Sequence, residues 1–224
     1  MIARFTAPMA AKGKCMSNTA DSLAASGKRA RSKAANRRAI LSAGRRVFAR
    51  IGFDATTVRD IIRETDLAAG TFYNYFKSKE EVFEAIAEDS TYRFRTRLSD
   101  VRARATTFED YIHQAYHAYF SFVAAENEEA IRMGAPHIAL IGVRVDTPEM
   151  LAIADEIRSD LDHVLSAAGA PVTDIDFLTA AAIGIAREMG DHMLQRRPVD
   201  AVAATKFATA LLLGGVREVS GKPL

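Results

Sequence analysis

Apolar side chains recur along this chain at helical spacing, and the breaks between the recurring runs divide it into about nine helices. From Ala35 to Ile51 the positions Ile40, Leu41, Gly44, Val47, Phe48 and Ile51 fall on one face, and Gly52 supplies a stop. Thr57 then stands as an N-cap with Asp60 three residues on, the spacing of a capping box. A short helix from Val58 to Glu64 follows, its stripe made by Val58, Ile61 and Ile62. Asp66 is expected to turn the chain, because aspartate tolerates a left-handed backbone, with Leu67 as an apolar plug. A second short helix runs from Ala69 to Tyr75, with Phe72 its one candidate for deep burial and Phe76 at its exit. The next helix opens near Ser78 and keeps Val82, Phe83, Ile86, Phe94, Leu98 and Val101 in register to Ala105, longer than a three-helix unit requires.

Beyond Thr106 and Thr107, a helix from Phe108 to Glu126 carries Phe108, Ile112, Ala115, Tyr116, Tyr119, Phe120 and Val123 on one broad face. Asn127 to Asp146 is read as a short helix and then an irregular segment. Ile138 to Val145 has strand composition, but no other stretch offers it a partner. Thr147, Pro148 and Glu149 form an N-cap, first-position and first-turn signature for a helix to about Ala168, closed by Gly169. Its inward positions are Leu151, Ala154, Ile157, Leu161, Val164 and Leu165. The last two helices, Asp174 to Arg196 and Asp200 to Ser220, are apolar nearly all round: Thr179 is the one polar residue from Phe177 to Ala186, and Lys206 the one charge from Ala201 to Val216. A helix apolar on every side needs cover on every side, so a second copy of the chain is expected over Phe177, Ala181, Gly184, Ala204, Ala208 and Leu211.

Charge changes the picture. The 224 residues carry a net +2, but residues 1–80 hold 16 Lys/Arg against 6 Asp/Glu, or +10, and residues 81–224 hold 14 against 22, or −8. Such asymmetry is the footprint of a chain that meets a polyanion with one end. Residues 1–27 lack an apolar period and are expected to be disordered, with a basic arm of Lys28, Arg29, Arg31, Lys33, Arg37 and Arg38 leading into the first periodic helix. The arm is expected to touch phosphates or the minor groove. The single cysteine, Cys15, excludes an intrachain disulfide and fits a cytoplasmic protein. Lys12 and Lys14 interrupt any signal-peptide core, and no run is long and apolar enough for a membrane span.

Hydroxyls, an amide and a glycine crowd the helix at Gly70, Thr71, Tyr73, Asn74 and Tyr75, the groups that meet base edges and phosphates, and Lys77 and Lys79 follow. The span from Ile40 to Ile86 resembles the helix-turn-helix of the TetR/AcrR family of bacterial regulators, through its Thr57-Val58 entry, the run Gly70-Thr71-Phe72-Tyr73-Asn74-Tyr75-Phe76 and the lysine beyond it. Ile62 and Thr65 stand where small alanines are usual, Asp66 where glycine is usual, and Ala68 where serine commonly caps the recognition helix. The resemblance implies an all-α homodimer that represses at a palindromic operator in double-stranded DNA and is released by a small-molecule effector. Ala69, Gly70, Thr71 and Asn74 would then approach bases, and Thr57, Tyr73, Tyr75 and Lys79 would hold phosphates. It implies an extension over residues 1–32, a DNA-binding domain over 33–80 and an effector-binding, dimerising domain over 81–224.

Phe108, Ile112, Tyr116, Tyr119, Phe120 and Val123 are candidates for the effector pocket, since buried tyrosines need partners and aromatic walls with a few polar tips suit small molecules. Arg93, Arg95, Arg97, Arg102 and Arg104 are read as a solvated face paired with acidic neighbours, in preference to an anion site. His113 and His117, four residues apart with Asp110 nearby, are read as ordinary histidines, and neither metal nor cofactor is expected. No phosphate loop, Cys/His cluster or nucleophile elbow points to an enzyme. A metal-responsive regulator and an architectural DNA binder without effector are the alternatives.

Overall fold

The computed structural model describes residues 17–134, 148–167, 169 and 174–220, and among these every regular element is a helix. Ser17–Ile51 forms α1, Val58–Arg63 α2, Ala69–Tyr73 α3, Lys79–Arg104 α4 and Phe108–Glu126 α5. Glu128–Arg132 forms α6, Pro148–Ala167 α7, Ile175–Gln195 α8 and Ala201–Ser220 α9. The strand-like stretch Ile138 to Val145 and the Thr147 cap lie outside the described residues. Residues 1–39 and 40–224 form two units.

In the first unit the helix begins earlier than its apolar period. Residues 17–27, expected to be disordered, and the basic arm from Lys28 both lie within α1. Alanine, lysine and arginine dominate the stretch from Ala24 to Ala35, and these are strong helix formers whatever their periodicity. Helical propensity, not amphipathicity, sets this start.

The second unit holds two cores. In the head, Ile40, Val47, Phe48, Ile61, Phe72, Val82 and Ile86 are buried together. Gly44 lets α1 and α4 meet: a Cβ there would lie 2.8 Å from Val82 Cγ1 and 3.1 Å from Ile86 Cδ1. Phe48, Phe53 and Phe83 close one side with ring centroids 4.9 to 5.7 Å apart. In the body, α5 packs against α4, α7, α8 and α9 around Phe108, Ile112, Phe120, Val123, Leu161, Leu194 and Ala208. Side-chain caps start these helices at the boundaries the sequence suggests: Ser78 accepts from Glu81 N, Thr107 from Asp110 N, and Asp174 from Phe177 N.

The arginines of α4 pair with acids on neighbouring helices. Arg95 meets Glu156, and Arg102 meets Asp160 at 2.6 Å, both on α7, while Arg97 lies 5.1 Å over the Phe122 ring. Pairs this exposed contribute about 0.2 to 1 kcal/mol each, and here they link α4 to α7.

The candidate dimer face divides. Phe177 (76%) and Leu211 (52%) are exposed, as are Ala181 and Gly184. Ala204 and Ala208 are 9% and 0% exposed within the single chain, so their assignment to the face is corrected. A helix apolar on all sides has one side for its own domain, and these two alanines face it.

Candidate nucleic-acid interface and effector cavity

The capping box of α2 forms in full: Asp60 N donates to Thr57 Oγ1 at 3.3 Å, and Thr57 N donates to Asp60 Oδ2 at 3.0 Å. Thr57 Oγ1 also donates to Asp60 Oδ2 at 2.6 Å, and these bonds hold the Asp60 carboxyl below its ordinary pKa. The Thr57 hydroxyl expected at a phosphate is thus engaged within the helix cap.

Between α2 and α3 the expected left-handed Asp66 is absent, since no described residue other than glycine has positive φ. The side chain of Thr65 makes the turn instead. Its Oγ1 donates to Ile62 O at 2.8 Å and accepts from Leu67 N at 3.2 Å, a local bridge between hydroxyl and backbone that needs no glycine. Ile62 is half-buried against the head core, and Ala68 caps α3 without a side-chain bond.

Phe72 anchors α3 at 0% exposure, while Ala69, Gly70, Tyr73 and Asn74 face outward and Thr71 and Tyr75 are half-buried. A Cβ at Gly70 would meet nothing within 4 Å, so the fold does not require glycine there. Lys77 is exposed. Lys79 is turned inward: its Nζ donates to Phe53 O at 2.8 Å and Asp54 O at 3.0 Å and lies 4.6 Å over the Phe53 ring. The ammonium expected at a phosphate therefore clasps the chain after α1, which leaves one of its three donors for another acceptor. Arg46 and Arg50 both hold Glu64 at the end of α2, and the Arg46 bond keeps that carboxyl below its ordinary pKa.

Within the body lies a cavity of about 210 Å³. Its walls are Ser90, Thr91, Phe94 and Leu98 of α4, Tyr111, Ile112, Ala115, Tyr116, Tyr119 and Phe122 of α5, residues of α7 from Met150 to Leu161, and Ala182, Ile183, Ala186 and Arg187 of α8. Three of the six expected pocket residues, Ile112, Tyr116 and Tyr119, are in these walls. Phe108, Phe120 and Val123 are buried in the packed core and do not line it, because the broad face of α5 serves several neighbours. The walls from α7 and α8 were not foreseen, since periodicity within one helix does not say which other helix it meets.

The polar tips are placed. Tyr111 Oη donates to Asp160 Oδ2 at 3.0 Å, and Tyr116 Oη donates to Ala182 O at 3.2 Å, tying α5 to α7 and α8. Burial pushes both phenols up in pKa, with Asp160 adding to the effect at Tyr111, so both stay neutral donors.

Behind the α4 wall sits an ionic network. Arg45 of α1 donates to Glu126 Oε2 at 2.8 Å, Ser90 Oγ at 2.9 Å and Asp89 Oδ2 at 3.2 Å. Ser90 Oγ donates to Glu126 Oε2 at 3.1 Å, and Arg93 reaches both Glu126 oxygens at 2.6 Å. Ser90 belongs to cavity wall and network alike.

His113 and His117 are exposed with stacked rings 6.4 Å apart, while Asp110 accepts from Thr106 N and Gln114 Nε2. Among the described residues no group of three His, Cys, Asp or Glu side chains could hold a metal.

Residues 40–86 match the family model described as bacterial regulatory proteins, tetR family. Over 56 residues the chain is 39% identical to the HTH-type transcriptional repressor KstR2 of Mycolicibacterium smegmatis, covering 25% of this chain and 27% of that one. Over 93 residues it is 29% identical to the fatty acid metabolism regulator protein of Bacillus subtilis, covering 41% and 47%. The chain thus spans less than half the length of the curated relatives it matches. In structure it is similar to the fatty acid degradation regulator FadR of Bacillus halodurans, with TM-score 0.65 and 21% identity over 81% of this chain and 96% of that one. It is likewise similar to FadR of Bacillus subtilis in complex with stearoyl-CoA, with TM-score 0.63 and 21% identity over 79% and 97%. Residues 40–86 therefore match the helix-turn-helix segment of the tetR-family regulatory proteins, and the chain shares the fold of the FadR structures.

Proposed function

We propose that this protein is a DNA-binding transcriptional regulator, a repressor that leaves a palindromic operator when a small molecule fills its body cavity. The observation that carries this is the double service of α4. Its first turns supply Val82 and Ile86 to the head core, and Ser90, Thr91, Phe94 and Leu98, further along, line the cavity. An occupant that pushes on those four side chains pushes on the helix that seats the head. The Ser90 bonds to Arg45 and Glu126 give that push a second route into α1. For release, the effector must favour the state in which the heads no longer match the operator, and DNA must weaken effector binding by the same factor.

Ala69, Gly70, Thr71 and Asn74 are the base-facing set, and Tyr73, Tyr75 and Lys77 the phosphate-facing set; Thr57 and Lys79 brace the head that presents them. The effector is apolar, in keeping with the lining of the cavity and with relatives whose names concern fatty acids, one of them holding stearoyl-CoA. The cavity lies below the roughly 300 to 1,000 Å³ of sites for drug-sized ligands, which favours a small occupant. Phe177, Ala181 and Gly184 on α8 with Phe207 and Leu211 on α9 form an exposed apolar face, and a homodimer covers it. No helix among the described residues is long and apolar enough to cross a membrane, and a regulator of genes works in the cytoplasm. An architectural binder would have no use for the cavity.

Sequencing DNA that co-purifies with the protein from its host, then titrating that DNA with and without straight-chain fatty acids and their CoA esters, tests the proposal. Enrichment of an inverted repeat whose binding weakens with one of these compounds is expected. Recovery of DNA with no common sequence would overturn the regulatory role.

A further inference from the structure

Of the side chains in the described wall of the cavity, one is charged. Arg187 of α8 lines the space together with Ala182, Ile183 and Ala186, which share its side of the helix at helical spacing. Arg187 and Leu151 of α7 are both exposed, so they mark where the cavity opens to water, whereas Leu98, Ile112 and Leu161 of the same wall are buried. The other arginines of these helices have carboxylate partners: Arg93 meets Glu126, Arg95 meets Glu156, Arg102 meets Asp160 and Arg158 meets Asp176. Arg187 makes neither an ion pair nor a hydrogen bond among the described residues. The wall hydroxyls of Ser90, Tyr111 and Tyr116 are meanwhile committed to Glu126, Asp160 and Ala182 O.

Size and charge together select the occupant. A space of about 210 Å³ equals the share of about seven water molecules, which suits the tail of an acid of about eight carbons. A guanidinium offers paired N–H donors in a planar fork, the match for the two oxygens of a carboxylate. We propose that the cavity takes a medium-chain monocarboxylate, its tail among Leu98, Ile112 and Leu161 and its carboxylate on Arg187 at the mouth. This rests on the effector-binding role proposed above and names the chemical class of the effector. A CoA ester fits less well, because its thioester carbonyl is neutral where Arg187 needs an anion, and its phosphates lie at the far end of the pantetheine arm.

Calorimetric titration of the full chain with octanoate, octanol and octanoyl-CoA at pH 7, where a carboxylate is ionised, tests this. The parent should bind octanoate more tightly than octanoyl-CoA. Arg187→Met keeps an unbranched apolar stem and should lower the ratio of octanoate to octanol affinity about fivefold, the upper end for an exposed ion pair. A ratio taken within one protein cancels any change in the folded fraction. Arg187→Lys should hold the ratio nearer that of the parent, since the charge remains without the fork. An unchanged ratio in Arg187→Met overturns the proposal, and so does a parent that prefers octanoyl-CoA, which would put a phosphate where the carboxylate is assigned. Octanoate binding that persists undiminished in Ala115→Leu, which narrows the cavity, places the ligand elsewhere and overturns it too. A parent that binds none of the three compounds overturns the effector role of the cavity itself, a different result from a parent that binds octanoate with a variant that matches it.

Discussion

The head closes on Ile40, Val47, Phe48, Ile61, Phe72, Val82 and Ile86 so tightly that one added Cβ at Gly44 would lie 2.8 Å from Val82 Cγ1. The body uses the same classes of side chain, with more tyrosine, and leaves about 210 Å³ open. Aromatic content therefore does not separate a core from a pocket. In the head, Phe48, Phe53 and Phe83 lean on one another, and Gly44 brings two helices together. In the body, Tyr111 and Tyr116 tie α5 to α7 and α8 through Asp160 and Ala182 O, beside a space left open. One core is closed around Phe72 of α3, and the other leaves a cavity against α4.

The largest expected effect comes from breaking the close core. Gly44→Val should separate α1 from α4 and cost about 3 kcal/mol, read as a lower urea midpoint with loss of DNA binding. A variant as stable as the parent would mean that the α1–α4 contact is slack. Next is the network between the two cores. Glu126→Ala leaves the half-buried guanidinium of Arg45 with Asp89 as its remaining carboxylate, and should cost about 2 kcal/mol, less than a fully buried pair because the Glu126 side chain keeps 16% exposure. In Glu126→Gln, DNA affinity should persist while its response to an effector weakens; an undiminished response would exclude the network as a route.

Two smaller changes sharpen the contrast. Gly70→Ala has open space around it and should leave thermal stability equal or raise it by about 0.4 to 1 kcal/mol, while DNA affinity falls about tenfold, or about 1.4 kcal/mol. Unchanged DNA binding would remove Gly70 from the interface. Ala115→Leu fills the body cavity and should raise stability by about 1 kcal/mol while blunting effector binding, the reverse of the same kind of enlargement at Gly44. If it destabilises as Gly44→Val does, the cavity is not available space.

Acid should separate the two regions least. Glu64 in the head and Glu156 in the body are both held below their ordinary value of 4.5, chiefly by bonds from Arg46 and Arg95 respectively. A depressed carboxylate contributes stability that is in full force above its unfolded pKa and is lost as pH falls through the folded value. Unfolding followed from pH 6 downward should thus lose under about 1 kcal/mol from each pair below about pH 4.5, and Glu64→Gln or Glu156→Gln should remove that part of the slope.

Much of this arrangement was legible in the residues. Thr57, Ser78, Thr107 and Asp174 mark helix starts because capping is local chemistry, and the outward set on α3 follows from a short helix with one buried ring. The start of α1 was hidden because Ala-, Lys- and Arg-rich sequence forms helix without an apolar stripe. Asp66 suggested the wrong turn, since the Thr65 hydroxyl performs it without a left-handed residue. The Arg45–Glu126 pair spans 81 positions, and no local pattern announces it. Phe108, Phe120, Val123, Ala204 and Ala208 were misassigned for one reason: periodicity gives a helix a buried side but does not divide that side among a neighbour, a cavity and a second chain.

Ser90, only 5% exposed, both faces the cavity and bonds to Arg45 and Glu126, so selection acts on it twice. A lineage that acquires a new effector must recut the chamber while preserving the lever. Substitutions at Ile153, Ile157, Ile183 or Ala186 reshape the chamber without touching the Arg45–Glu126 network, whereas on the proposed mechanism a change at Ser90 alters both. Among descendants answering to different compounds, α7 and α8 should therefore diverge first, with Ser90 retained as the fixed point around which specificity drifts.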